Sequence, residues 1–135
     1  MTIIVPTHGS AHGVADLLGS IAMQQEVNLR EIEVLIVSNL PNSKLDKVLP
    51  GDYPFVVQKF VSGVIGVNSA RNTGVRLARG EWFYFIDDDC QLIHPKHLRY
   101  LFDQLDLLEP PFIGIGGGYI APACAGLADM AYLLT

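Results

Sequence analysis

The chain has 135 residues, half of them apolar and 17% charged, enough to fill one compact core and too greasy for a disordered segment. A formal charge of -5 argues against a protein that grips nucleic acid through its phosphates, which takes lysines and arginines to neutralise them. The only cysteines, Cys90 and Cys124, make neither a disulfide framework nor a metal spacing and are expected to be buried, reduced thiols of an intracellular protein.

The opening "MTIIVPTHG" lacks the basic and long apolar regions of a secretory signal, and "TIIVP" predicts a first strand ended by Pro6. Leu17, Leu18 and Ile21 recur at helical spacing, predicting a helix from about Val14 to Gln25. "EVLIV", Glu33 to Val37, is a continuous apolar run, as a strand covered on both faces would be. Pro41, Pro50, Gly51 and Pro54 then punctuate a loop with room for one helical turn.

"FVVQKF" predicts a third strand, and "GVNSARNTGVRLARG" a helix capped by Asn68 or Ser69 with Gly80 just beyond its end. Trp82 to Ile86 form a fourth strand, and Pro95 opens a helix to about Leu108 with Leu98, Leu101, Phe102 and Leu105 on one face. "PPFIGIGGG" supplies a fifth strand. From Phe112 to Thr135 the only charge is Asp129, but Gly114, Gly116, Gly117, Gly118 and Pro122 would interrupt a membrane-spanning helix, so a core strand and a loop are expected. The alternation of strands and helices predicts an α/β fold with a mainly parallel sheet in a single domain over residues 1–135. Because the chain stops in apolar sequence, "MAYLLT", without a capping signal, it is expected to be the N-terminal part of a longer protein.

Asp87, Asp88 and Asp89 follow the fourth strand, at the carboxyl edge where open α/β sheets bind ligands, with no lysine or arginine beside them in sequence. Three adjacent carboxylates repel one another unless a cation offsets them, and oxygen-only ligands suit magnesium or manganese. In extended backbone Asp87 and Asp89 would face one side and Asp88 the other, a D-x-D arrangement in which the metal could bridge the phosphates of a nucleotide. The alternative is an acidic turn that caps the next helix.

Pro6, Thr7 and His8 end the first strand at the same rim, where they could line a base pocket with the imidazole stacking on the base; a plain turn with Ser10 as helix cap is the alternative. Arg71 stands near a helix N-terminus, which favours an anion, or is a solvated helix residue. Asn72 could hold the loop geometry, and Gly74 could let helix and sheet approach closely. "GIGGG" lacks the spacing of a dinucleotide fingerprint, and His94 and His97 are expected at the surface of a helix start.

The order "IIVPTHG", "EVLIVSN", "GVNSARNTGVRLARGEWFYFIDDD" resembles the family 2 glycosyltransferases of the GT-A fold, a Rossmann-like three-layer sandwich, whose members carry G-x-x-x-A-R-N-x-G…A-x-G-E-x-x-x-F-x-D-x-D. The likeness covers most of residues 2 to 98. It implies an inverting sugar transfer from a nucleotide-diphosphate sugar held by Mn2+ or Mg2+ to a carbohydrate or lipid-linked acceptor. Carried over by position, Asp87 and Asp89 would hold the metal, Asp88 the donor's sugar or ribose, Pro6, Thr7 and His8 the base, and Arg71 the base or diphosphate. The implied location is cytoplasmic, at the inner face of a membrane in a longer protein.

Two departures stand out. Where the family has paired aspartates after the second strand, this chain has Ser38 and Asn39. The second of those acids typically accepts from a uracil imide, and Asn39 could accept through its amide oxygen, so a UDP-sugar is favoured without being secured. No acidic motif matches the family's catalytic base. The rivals are a sugar-phosphate nucleotidyltransferase, which would want a basic glycine-rich loop after the first strand, and a non-catalytic nucleotide-sugar-binding module.

Overall fold

The computed structural model describes residues 1–39, 41, 44–47, 49, 51–109 and 115–116. Four parallel strands run through it: β1 (Thr2–Thr7), β2 (Glu33–Ser38), β3 (Val56–Val61) and β4 (Phe83–Phe85), in the spatial order β3-β2-β1-β4. Helix α1 (Ala11–Ala22) joins β1 to β2, α2 (Val67–Leu77) joins β3 to β4, and α3 (His97–Leu105) follows β4. The expected single helical turn in the long loop is a 3-10 turn at Leu45–Lys47, and a second lies at Leu29–Glu31. Predicted strands and helices fall within a few residues of those observed. The fifth strand, most of the glycine run, Cys124 and Asp129 lie outside the described residues.

Contacts divide the chain into Met1–Tyr100, which carries the four described strands, and Leu101–Thr135, whose described part is the end of α3, the turn after it and residues 115–116.

β1 and β2 are buried along their full length, as their unbroken apolar runs require. Register pairs Ile4 with Leu35 and Pro6 with Val37, so these residues share one face, the one α2 covers. Ala70 of α2 packs on Leu35 and Val37, and Gly74 sits so close to the sheet that a Cβ there would come within 2.4 Å of Ile4 Cγ2. Gly74 therefore admits the close approach expected of it. Chain direction across the sheet reverses after β3, and right-handed crossovers then put α1 on the other face, with Ile3, Val5, Val34 and Ile36. Val14, Leu17, Leu18 and Ile21 form the buried stripe of α1, each such side chain contributing about 1.5–3 kcal/mol on burial.

The edge strands depart from expectation. Phe83 and Phe85 are each 42% exposed, so β4 is not the wholly buried strand its aromatic sequence suggests. Only Ile86, past its end, is buried on that stretch. Helix α2 begins at Val67 rather than after Asn68 or Ser69, because Gly66, at φ 133°, takes the cap conformation that a side chain would resist.

Candidate functional site

The sheet reverses its winding at β1: β2 and β3 extend to one side and β4 lies on the other. That is the topological switch point of the fold, where the loops leaving β1 and β4 diverge and open a crevice at the carboxyl edge. β1 is prepared for it locally. Ile86 N–H bonds the Ile4 carbonyl, so by alternation the nitrogen of Pro6 faces the β4 side, beyond the last paired residue Phe85, where no ladder donor is needed. A cavity of about 320 Å³ occupies this crevice, lined by Pro6, Thr7, His8 and Ser10 after β1, Asn39 after β2, Val67 of α2, and Asp87, Asp88 and Asp89 after β4.

The structure brings together all but one of the site residues expected from sequence. The aspartates, however, are not extended: Asp88 and Asp89 lie in a turn closed by Cys90 N–H to the Asp87 carbonyl at 3.1 Å. Strict alternation therefore does not decide where they point. All three face the cavity, and each carboxylate has its own partner. Arg71 Nη2 donates to Asp87 Oδ1 at 2.9 Å, Thr7 Oγ1 donates to Asp88 Oδ2, and Cys90 Sγ lies 3.7 Å from Asp89 Oδ1. Part of the repulsion between the aspartates is thus relieved by a cation from α2, invisible as a neighbour in sequence.

Arg71 stands one turn inside α2 and does not line the cavity. Its Nε is buried without a hydrogen-bond partner among the described residues, while its side chain as a whole is 36% exposed. Asn72, expected to hold a loop, is an exposed residue of α2. Cys90 is partly buried rather than fully, and burial first, then the charges of Asp89 and Asp87, push its thiol up to about 11. It stays a neutral thiol.

Also on the cavity wall, Ser10 caps α1, accepting from Gly13 N–H at 3.3 Å, so that part of the plain-turn alternative holds alongside the pocket. Thr7 Oγ1 donates to Asp88 and accepts from Gly9 N–H at 2.9 Å. His8 is exposed beside Asn39, with Asn39 Nδ2 at 3.5 Å from its Nδ1. Asn39 is buried, and its Oδ1 accepts from Gly66 N–H at 3.1 Å, which ties the end of β2 to the start of α2. Val67 supplies an exposed apolar wall.

Two positions escaped sequence reasoning. A Cβ on Gly13 would meet the Asp88 carbonyl oxygen at 2.3 Å, so this glycine lets the first turn of α1 approach the aspartate turn. Only the close approach reveals it. The second is Glu33, at the opposite edge of the sheet, which is buried and accepts from Thr2 Oγ1, Arg79 N–H and Arg79 Nε at 2.6, 2.6 and 3.0 Å. Burial alone would raise its carboxyl, but these bonds together outweigh burial and leave it below its ordinary value. His97 is likewise not a plain surface residue. It lies within 3.0 Å of Tyr84 Oη, and burial, then His94, lowers its pKa.

Three carboxylates at one rim form a hard-oxygen donor set, although no group of three or more His, Cys, Asp or Glu side chains among the described residues closes around a metal. That fits a magnesium- or manganese-like ion, which takes one or two carboxylates and completes its shell with phosphate oxygens and water.

Comparison with known proteins identifies the family and the fold. The family model "Glycosyl transferase family 2" matches residues 2–114. A Haemophilus influenzae protein described as an uncharacterized glycosyltransferase is 30% identical over 89 residues, 66% of this chain and 29% of that protein. The S. aureus TarS fragment 1-349 in complex with UDP-GlcNAc is 28% identical, with a TM-score of 0.61, covering 78% of this chain and 30% of that one. Mannosyltransferase PcManGT from Pyrobaculum calidifontis, in complex with GDP-Man and Mn2+, shares the fold at 23% identity, with a TM-score of 0.70 over 81% of this chain and 32% of that one. The chain spans under a third of the length of each.

Proposed function

This chain belongs to glycosyl transferase family 2 and has the mainly parallel α/β sheet of the GT-A glycosyltransferases; from that premise we propose that residues 1–135 form the donor-binding part of an inverting glycosyltransferase. The observation that carries the proposal is the cavity at the β1–β4 switch point, lined by three carboxylates and by Pro6, His8 and Asn39. A nucleoside diphosphate needs both kinds of lining: carboxylates that could hold a cation for its phosphates, and less charged side chains for its base. The TarS complexes with UDP and with UDP-GlcNAc support a nucleotide-sugar ligand.

In this proposal Asp87 and Asp89 hold a divalent cation, Mn2+ or Mg2+, which when bound stabilises negative charge on the leaving diphosphate. Asp88, fixed by Thr7, receives hydroxyls of the donor's sugar or ribose. Arg71 acts through Asp87, orienting its carboxylate and moderating the negative field of the turn. Pro6, His8 and Asn39 seat the base, the imidazole offering a flat face. The acceptor, a carbohydrate or lipid-linked hydroxyl, attacks the anomeric carbon from the side opposite the diphosphate, which inverts that centre, and its proton is assigned to no residue of this chain. No helix among the described residues is long and apolar enough to cross a membrane. A cytoplasmic location, beside a membrane when the acceptor is lipid-linked, belongs to the same proposal.

The test is calorimetric titration of nucleoside diphosphates into the purified chain with and without manganese, repeated on Asp89→Ala. The expected result is manganese-dependent binding that the substitution abolishes. Binding indifferent to manganese and to Asp89→Ala would remove the metal from the proposal, and no binding of any nucleotide would remove the donor site itself.

A further inference from the structure

Within the proposed donor site, Asn39 lines the cavity. Its amide has two chemically different ends, and the protein fixes which is which. The neighbour at 3.1 Å is the backbone N–H of Gly66, which can only donate, so the atom facing it has to be the carbonyl oxygen. Ser62 Oγ also lies 3.4 Å from that oxygen, although its single proton has a nearer acceptor in the Val64 carbonyl at 2.8 Å. The oxygen of Asn39 is therefore turned toward the β3–α2 loop, with one of its two lone pairs engaged by Gly66 N–H.

What remains is the NH2 end, on the His8 side of the cavity. Nδ2 sits 3.5 Å from His8 Nδ1, and because Nδ2 can only donate, His8 Nδ1 is the acceptor in that contact. The second amide hydrogen is left for a ligand. An aspartate at this position would behave oppositely: one oxygen would accept from Gly66 N–H, and the other would offer a ring N–H an acceptor.

The geometry points to a donor base that meets Asn39 with an acceptor ring nitrogen, cytosine N3 or adenine N1, in place of the ring N–H that uracil, thymine and guanine carry. Against a ring N–H, the amide would set donor against donor in a buried position. Uracil could satisfy Nδ2 only by sliding to present a carbonyl, which would strand its own N3–H in the cavity, and an unpaired buried donor is costly. Gly66 is the hidden determinant: by turning the oxygen of Asn39 toward the β3–α2 loop, its N–H leaves the NH2 as the end offered to the base.

This inference rests on the donor-site proposal, and its test separates the two. Dissociation constants of CDP, ADP, UDP, TDP and GDP are measured with manganese on the unaltered chain, on Asn39→Asp and on Asn39→Ala, with thermal melts confirming that each variant is folded. CDP or ADP should bind about tenfold or more tighter than the three nucleotides with a ring N–H, and which of the two binds tighter identifies the base. Asn39→Asp should reverse the order. Asn39→Ala should flatten it, which keeps the test decisive if the aspartate variant does not fold. Tight binding with UDP, TDP or GDP ahead, or an order unchanged in Asn39→Ala, overturns the inference and leaves the donor site standing. Failure of all five to bind overturns both.

Discussion

Gly13 lies so close to Asp88 that a Cβ on the glycine would come within 2.3 Å of the aspartate's carbonyl oxygen, fitting the first turn of α1 to the turn after β4. The loop leaving β1 and the loop leaving β4 are far apart in sequence, yet this contact and the Thr7–Asp88 bond make them one rim. Backbone, unlike a flexible side-chain tip, cannot give way cheaply. Gly13→Ala is therefore expected to cost about 1–3 kcal/mol in urea unfolding and to weaken nucleoside diphosphate binding as the Asp88 turn is displaced. Unchanged values of both would show that the rim is soft.

Arg71→Ala should divide metal binding from nucleotide binding. The pair with Asp87 is only partly buried, so stability should change by less than about 1 kcal/mol. Removing a positive charge beside the carboxylates should tighten manganese binding measured without nucleotide by about twofold to tenfold. Nucleoside diphosphate should bind more weakly, because Asp87 loses the group that orients it. Calorimetry with each ligand separately reads both signs.

Two helical glycines should respond to alanine in opposite directions. Gly19, inside α1, has no atom within 4 Å of where a Cβ would stand, so Gly19→Ala should stabilise by about 0.5–1 kcal/mol through lost backbone freedom of the unfolded chain. At Gly74 the same Cβ would strike Ile4, and Gly74→Ala should destabilise by about 1–3 kcal/mol. Chemical denaturation of the two variants side by side measures the difference.

Glu33 ties stability to pH. Its carboxyl lies below its ordinary value of 4.5 in the folded chain, so in that range the unfolded chain binds more protons and stability rises with pH. The contribution is complete above the unfolded value and is lost as pH falls through the folded one. Glu33→Gln should lower stability at neutral pH by about 1–3 kcal/mol, since one of its donors then faces an amide N–H2, and should flatten the slope of melting temperature between about pH 6 and pH 3. A slope equal to that of the unaltered chain would place the acid dependence elsewhere.

Much was legible in the sequence because it is written in local patterns. Continuous apolar runs gave β1 and β2, helical spacing of Leu17, Leu18 and Ile21 gave α1, and glycine and proline marked the loops between them. Asp87 to Asp89 marked a candidate site by a repulsion that something had to offset. Strand order, and hence the switch point between β1 and β4, was not local. It depends on which edge of the sheet the α2 crossover reaches. The partners of the aspartates were out of reach for the same reason: Arg71 and Thr7 arrive from α2 and β1. Asn39 shows the division most sharply. Its sequence allows an amide to offer either end to a ligand, and only the folded chain, by bringing the N–H of Gly66 to its oxygen, leaves the NH2 toward the cavity. A donor-only backbone group settles what composition and spacing cannot, because hydrogen-bond direction is a property of two atoms meeting in space.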